Sequence, residues 1–262
     1  VKDENWSDTY SEGWKKLKKM RAEKNSNRDF TFDIVMANPP FAGDVKESRI
    51  LAKYDLSRSV SLEKLKNVPS GATITQRDRA NSGETVYQMA DGTFRKTKLK
   101  QASNMSRDVL FVERNIDFLK SGGRMAIVLP QGRFNNSSDK VLREYIADRC
   151  RILAVIGLHG NVFKPHTGTK TSVLFVQKWD DVLCPKVEDY NIFFATMQEP
   201  SKDNSGNKIY QNTIDEEGNN VPLLDTHGHL IVKHDLFNHD GLTKDGIAEA
   251  FAEFAKKEGL SF

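Results

Sequence analysis

Cysteine is nearly missing from this sequence: Cys150 and Cys184 are the two among 262 residues. They lie far apart, with neither a disulfide pattern nor a metal-ligand spacing. That excludes a disulfide-stapled scaffold and predicts two buried thiols in a reducing, cytoplasmic setting. Long apolar runs are missing as well. No stretch approaches the length of a membrane-spanning helix and no signal peptide opens the chain, so no membrane partner is expected. Glycine-rich nucleotide motifs are also absent. Gly157, Gly160 and Gly168 lack the dinucleotide fingerprint spacing, and Gly168-Thr169-Lys170-Thr171 lacks the earlier glycine that a phosphate loop requires. No nucleophile elbow occurs. His227, His229, His234 and His239 gather near Asp225, Asp235 and Asp240, but without the spacing of a helix or finger metal site. They read as a solvated polar loop, and no metal is expected.

What is present is an ordinary globular composition, 38% hydrophobic and 29% charged, with enough chain for one sizeable core or two small ones. The formal charge of +3 is unevenly spread. Residues 42–107 carry 13 basic and 7 acidic side chains, and 108–179 carry 11 and 6, whereas 180–262 carry 7 and 16. A basic middle is the electrostatic footprint expected of a polyanion partner.

The most informative stretch runs from Phe30 to Phe41. Ile34-Val35-Met36-Ala37 is too short for a typical helix and reads as a buried parallel strand covered on both faces. Pro39 and Pro40 cannot donate to a ladder, so they end the strand and stiffen the loop beyond it. Asn38, preceding a proline, is pushed out of the helical region. A rigid loop of this kind suits an exocyclic amine on a base. The Asn38 amide oxygen and the Pro39 carbonyl can accept both amine hydrogens, drawing the nitrogen towards a tetrahedral nucleophile. The ring of Phe41 can stack on a base turned out of its helix.

The remaining chain alternates. Residues 1–29 form a lead-in, with Trp14, Leu17 and Met20 at helical spacing. Residues 42–102 are polar and rich in turn-formers, a long basic insertion carrying Arg77, Arg79, Arg95, Lys96, Lys98 and Lys100. It reads either as a DNA-contacting element or as a surface loop. A helical stripe covers Asp108–Lys120 and is ended by Ser121-Gly122-Gly123; a strand follows over Arg124–Pro130. Residues 139–150 read as a helix, and 151–158 and 171–179 as strands. The short helix-free connection between those two strands predicts an antiparallel pair at a sheet edge. A further strand is expected over 191–197, a turn over 200–207 and a terminal helix with Ile247, Ala248, Phe251, Phe254 and Ala255 on one face. The class is therefore α/β with a mainly parallel sheet. Its domains would be a catalytic domain over 30–179, containing the insertion, and an acidic C-terminal extension over 180–262.

Asn38-Pro39-Pro40-Phe41 after a hydrophobic strand resembles the catalytic motif of adenine-N6 methyltransferases. With Gly122-Gly123-Arg124 leading into Leu129-Pro130, and with the segment Val162–Thr171, the chain is similar to the modification subunits of type I restriction-modification systems. The resemblance implies the second half of a Rossmann-like methyltransferase fold, with an antiparallel final strand. It implies S-adenosylmethionine as cofactor and DNA as partner, with specificity and restriction subunits alongside. Phe163 would touch the edge of the flipped base and Lys170, with the insertion's basic residues, the DNA backbone. The family's glycine-rich cofactor turn has no candidate before Asn38, so the sheet is expected to be incomplete, as the opening on Val1 rather than Met also suggests. Asn38 and Pro40 would keep the only contacts to a weakly bound or unbound cofactor, and the isolated chain is expected to be inactive. Two other readings stay open: a scaffold or DNA-contacting part of a larger complex, and a methyltransferase acting on RNA or protein glutamine.

Overall fold

The structure, a computed structural model, describes residue 15 and residues 31–58, 73–77, 84–88, 93–98 and 102–260. The chain divides into two compact units, Val1–Thr31 and Phe32–Phe262. The lead-in helix expected around Trp14 to Met20 lies outside the described residues, apart from Lys15.

The second unit opens with β1 (Phe32–Ala37) and β2 (Asp44–Val45), then α1 (Ser48–Leu51) and a 3-10 turn over Leu56–Arg58. Next come β3 (Thr73–Arg77), β4 (Glu84–Gln88), β5 (Phe94–Lys98), β6 (Met105–Ser106) and α2 (Arg107–Phe118). The centre comprises β7 (Leu119–Pro130), α3 (Gly132–Asn135), α4 (Lys140–Arg149), β8 (Cys150–Gly157) and β9 (Thr171–Lys178). The chain closes with β10 (Phe193–Thr196), β11 (Asn212–Ile214), β12 (Asn220–Pro222) and α5 (Ile247–Lys257). Five strands form the main sheet in the order β1-β7-β9-β8-β10. β1 and β10 run parallel to their neighbours β7 and β8, whereas β9 runs antiparallel to both β7 and β8. Four strands thus share one direction, giving the α/β class and mainly parallel sheet expected.

Burial follows the pleat. In β7, Met125, Ile127 and Leu129 are buried and face α2 through Val109, Val112 and Ile116, and α4 through Leu142, Tyr145 and Ile146. β9 adds Leu174 and Val176 to the same core. Each fully buried side chain of this kind contributes roughly 1.5–3 kcal/mol by leaving water. α5 lies against β10, where the Phe193 ring sits 5.5 Å from both Phe251 and Phe254.

Several expectations need correction. β1 is not covered on both faces: Phe32, Ile34 and Met36 are 49%, 67% and 82% exposed, because the core packs against Val35 and Ala37, which alternate with Ile34 and Met36 along the strand. The β8–β9 pair is antiparallel but does not lie at an edge, since β9 inserts beside β7 and β10 pairs outside β8. Ser121-Gly122-Gly123 does not end the helix. α2 stops at Phe118, and the two glycines lie within β7, where its register with β1 shifts between Phe32 and Ile34. A Cβ at Gly123 would stand 2.9 Å from the Lys120 carbonyl oxygen and 3.1 Å from that of Asp33. Backbone proximity across this irregularity, rather than capping, demands glycine there.

The insertion over 42–102 is not a plain loop. It contains an antiparallel sheet in the order β3-β4-β5. Its base is closed by the β2–β6 ladder and by the Ala102 amide donating to the Ser57 carbonyl at 2.7 Å. The segment before the small sheet is fastened from inside the core. Glu113 on α2, fully buried, accepts the amides of Asp55 at 2.7 Å and Leu56 at 2.9 Å.

Candidate functional site

The loop after β1 brings Pro40 and Phe41 of the sequence motif to a cleft of about 680 Å³. Pro39 is buried and fixes the loop, while Asn38 and Pro40 are exposed and Phe41 is half-buried. Three segments meet at the cleft. Pro40 and Phe41 form one wall, Pro130, Gly132 and Arg133 beyond β7 form another, and His166, Thr167 and Thr169 before β9 form the third. The cleft therefore lies outside the carboxyl ends of parallel strands, where α/β sheets generally bind ligands.

The two aromatic residues named from sequence come together. Phe41 and Phe163 pack edge to face, with centroids 5.7 Å apart and planes at 86°. Phe163 lies in a turned segment in which the His166 and Thr167 amides donate to its carbonyl at 3.0 and 3.1 Å. Thr167 Oγ1 accepts from the Thr169 amide at 3.1 Å, shaping the remaining wall.

Arg133, which sequence reasoning missed, anchors the second of these walls. Its Nε and Nη2 donate to the two oxygens of fully buried Asp108 at 2.8 and 2.9 Å. Nη1 donates to Asp139 at 2.9 Å and Nη2 also to Ser106 Oγ at 2.9 Å. Burial works against the charged guanidinium, but the hydrogen bond to Asp108 and the charges of Asp108 and Asp139 outweigh it and raise its pKa. A proline-terminated strand was the visible signal; the pairing of positions 108 and 133 was not.

The described basic residues named from sequence lie on β3, on β5 and at the entry to β9. Arg77 ends β3, and Arg95, Lys96 and Lys98 lie along β5, paired in register with Tyr87, Val86 and Glu84 of β4. Arg79 and Lys100 lie outside the described residues. Lys170 stands at the entry to β9, exposed, with its carbonyl accepting the Gln131 amide at 2.9 Å. Cys150 and Cys184 are buried free thiols, and burial pushes Cys150 up to about 12. Among the described residues no three His, Cys, Asp or Glu side chains converge as metal ligands. No described helix is long and apolar enough to cross a membrane.

Glycines at the relevant strand ends pack protein against protein. A Cβ at Gly132 would meet Asn136 Nδ2 at 2.9 Å, and one at Gly157 would meet Thr196 Oγ1 at 3.1 Å. Neither offers the open backbone cradle that a nucleotide-like cofactor requires.

Residues 82–228 match the model of the N-6 DNA Methylase family, just over half of the sequence, and the chain belongs to that family. A methylase subunit of the type I restriction enzyme EcoEI from Escherichia coli is 34% identical over 70 residues, 26% of this chain. The chain spans 14% of the length of that curated relative. Among solved structures, one similar chain is a Listeria monocytogenes protein assigned to the class I S-adenosylmethionine-dependent methyltransferases. It is 17% identical with a TM-score of 0.42, over 64% of this chain and 37% of that one. Another is a type I restriction-modification methyltransferase subunit from Streptococcus thermophilus, 22% identical with a TM-score of 0.34, over 60% and 26%. Both likenesses are partial.

Proposed function

We propose that this chain supplies the base-holding side of an adenine-N6 DNA methyltransferase, the modification component of a restriction-modification system. The observation that supports the reading is that Pro40 and Phe41, directly after Asn38 and Pro39, line the cleft, with Phe41 set against Phe163. Asn38 Oδ1 and the Pro39 carbonyl accept the two N6 hydrogens, which localises the lone pair on nitrogen. Phe41 stacks on the extruded adenine and Phe163 meets its edge, offsetting part of the unstacking cost of a few kcal/mol. Pro40 keeps the loop from relaxing. S-adenosylmethionine would supply the methyl group to adenine N6, which gives up a proton. Among the described residues Asn38 and Pro40 would contact the cofactor, and binding by this chain is weak or absent and the isolated chain inactive.

DNA is held by backbone contacts from Arg77, Arg79, Arg95, Lys96, Lys98, Lys100 and Lys170, and affinity falls with salt in proportion to the phosphates neutralised. Specificity and restriction subunits complete a cytoplasmic assembly. Comparing methylation of duplex DNA, RNA and a glutamine-containing protein by the full-length protein tests the substrate class; preference for RNA or protein overturns it. Isothermal titration of this chain with S-adenosylmethionine tests the cofactor statement. Micromolar binding, about 8 kcal/mol, contradicts it.

A second reading, a scaffold within a modification complex, is favoured by the exposed apolar side of β1, which has β7 as its one strand partner among the described residues. Mass measurement of the isolated protein with and without partner subunits separates the two, since partner-independent methylation counts against a scaffold.

A further inference from the structure

Residues 201–233 contain one turn three times. Asp203, Asp215 and Asp225 each begin a five-residue segment with glycine fourth and asparagine or histidine fifth: Asp203–Asn207, Asp215–Asn219 and Asp225–His229. In each, the aspartate Oδ1 accepts the amides two and four residues on, at 2.7 to 3.0 Å. In each the glycine is left-handed, with φ of +93° at Gly206, +85° at Gly218 and +79° at Gly228. The local constructions match, but their surroundings differ.

A Cβ at Gly218 or Gly228 would meet nothing within 4 Å. At Gly206 it would stand 2.7 Å from Pro165 Cδ and 2.9 Å from the Lys164 carbonyl carbon. Around that contact the two segments are laced together. Asn161 Nδ2 donates to the Lys202 carbonyl at 2.9 Å, Lys202 Nζ to the Lys164 carbonyl at 2.8 Å, and Lys164 Nζ to Asn204 Oδ1 at 3.2 Å. The braced residues flank Phe163, and His166 and Thr167 of the same segment line the cleft.

We propose that the Asp203–Asn207 turn is a positioning element that holds the 161–167 segment, and with it Phe163, against Phe41 at the cleft. Backbone-to-backbone approach at Gly206 sets the distance, and the three lysine and asparagine hydrogen bonds set the orientation. The consequence for activity rests on the base-site reading above; the bracing itself does not. Catalytic groups lose efficiency steeply when displaced by about 1 Å, so a turn remote from the chemistry has leverage on it.

The sister turns supply the control. Gly206→Ala and Gly218→Ala impose comparable backbone strain, but Gly206→Ala alone also collides with Pro165. Lys202→Met removes one bracing hydrogen bond without backbone strain. Hydrogen exchange at the Lys164, His166 and Thr167 amides in this chain is expected to speed by at least about tenfold in Gly206→Ala, less in Lys202→Met, and not at all in Gly218→Ala. Unchanged exchange in both 202 and 206 variants, or equal acceleration in Gly218→Ala, overturns the proposal. In the full-length protein, Gly206→Ala is expected to lower kcat about 10- to 100-fold with the KM for S-adenosylmethionine unchanged, and Gly218→Ala to stay near wild type. If exchange responds as stated and methylation is absent even in the wild type, the base-site reading fails and the brace stands.

Discussion

Phe41 and Phe163, far apart in sequence, meet edge to face at 5.7 Å beside the cleft. Such a pair contributes about 0.5–1.5 kcal/mol beyond its buried area. A double-mutant cycle with Phe41→Leu and Phe163→Leu, measured by urea denaturation of this chain, should return a coupling energy in that range. Strict additivity would show that the rings are neighbours without being partners.

Arg133 and Asp108 should behave as a buried ion pair. Asp108 has no exposure and the Arg133 side chain 21%, so Arg133→Met leaves an uncompensated buried carboxylate and should cost about 3–5 kcal/mol. Joint replacement, Asp108→Asn with Arg133→Met, should cost less than the single change. Urea midpoints of the two variants make the comparison; a double variant weaker than the single contradicts the pairing.

Glu113 gives a pH dependence with a definite sign. Burial raises its carboxyl above the ordinary value of 4.5, against the lowering effect of the Leu56 and Asp55 amides. The folded state therefore holds the proton more tightly than the unfolded state. The stability this provides is fully present below the unfolded value and is lost as pH rises through the folded one. Relative to Glu113→Gln, the wild type should lose stability as pH is raised from 4 towards neutrality, read by denaturant titration across pH. A difference that grows in favour of wild type would reverse the sign. Glu113→Ala strands two buried amides and should cost about 1–3 kcal/mol for each.

Cys150 and Cys184 should resist a thiol reagent. Burial raises both thiols, Cys150 to about 12, so little thiolate exists near pH 8. Ellman's reagent should react only as fast as the chain opens, and fully after denaturation. Rapid labelling of the native chain would contradict the burial.

Much of the α/β core was legible because its signals are local. Val109, Val112 and Ile116 repeat at helical spacing, and β7, β8 and β9 are short apolar runs ending at proline, glycine or charge. What was not legible depends on partners distant in the chain. Gly122 and Gly123 resemble a helix stop, and only the approach of β1 makes them part of an irregular strand. Ile34 and Met36 look buried by composition, but the core packs against the alternate residues Val35 and Ala37 and leaves them exposed. The strand-ending loop at Asn38-Pro39-Pro40-Phe41 was readable because its prolines enforce it. Arg133 was not, because its meaning lies in Asp108 and Asp139. β3 to β5 escaped notice because their apolar residues are sparse and alternate with lysine, arginine and glutamine.

The central claim is that Asn38 holds the amine that is methylated. Its most direct test is methyl transfer to adenine in duplex DNA by the full-length protein, comparing wild type with Asn38→Ala. The account predicts at least about a 100-fold loss of kcat, the scale on which removal of a single transition-state hydrogen-bonding group acts, with DNA affinity little changed. Activity of Asn38→Ala near that of wild type would contradict it.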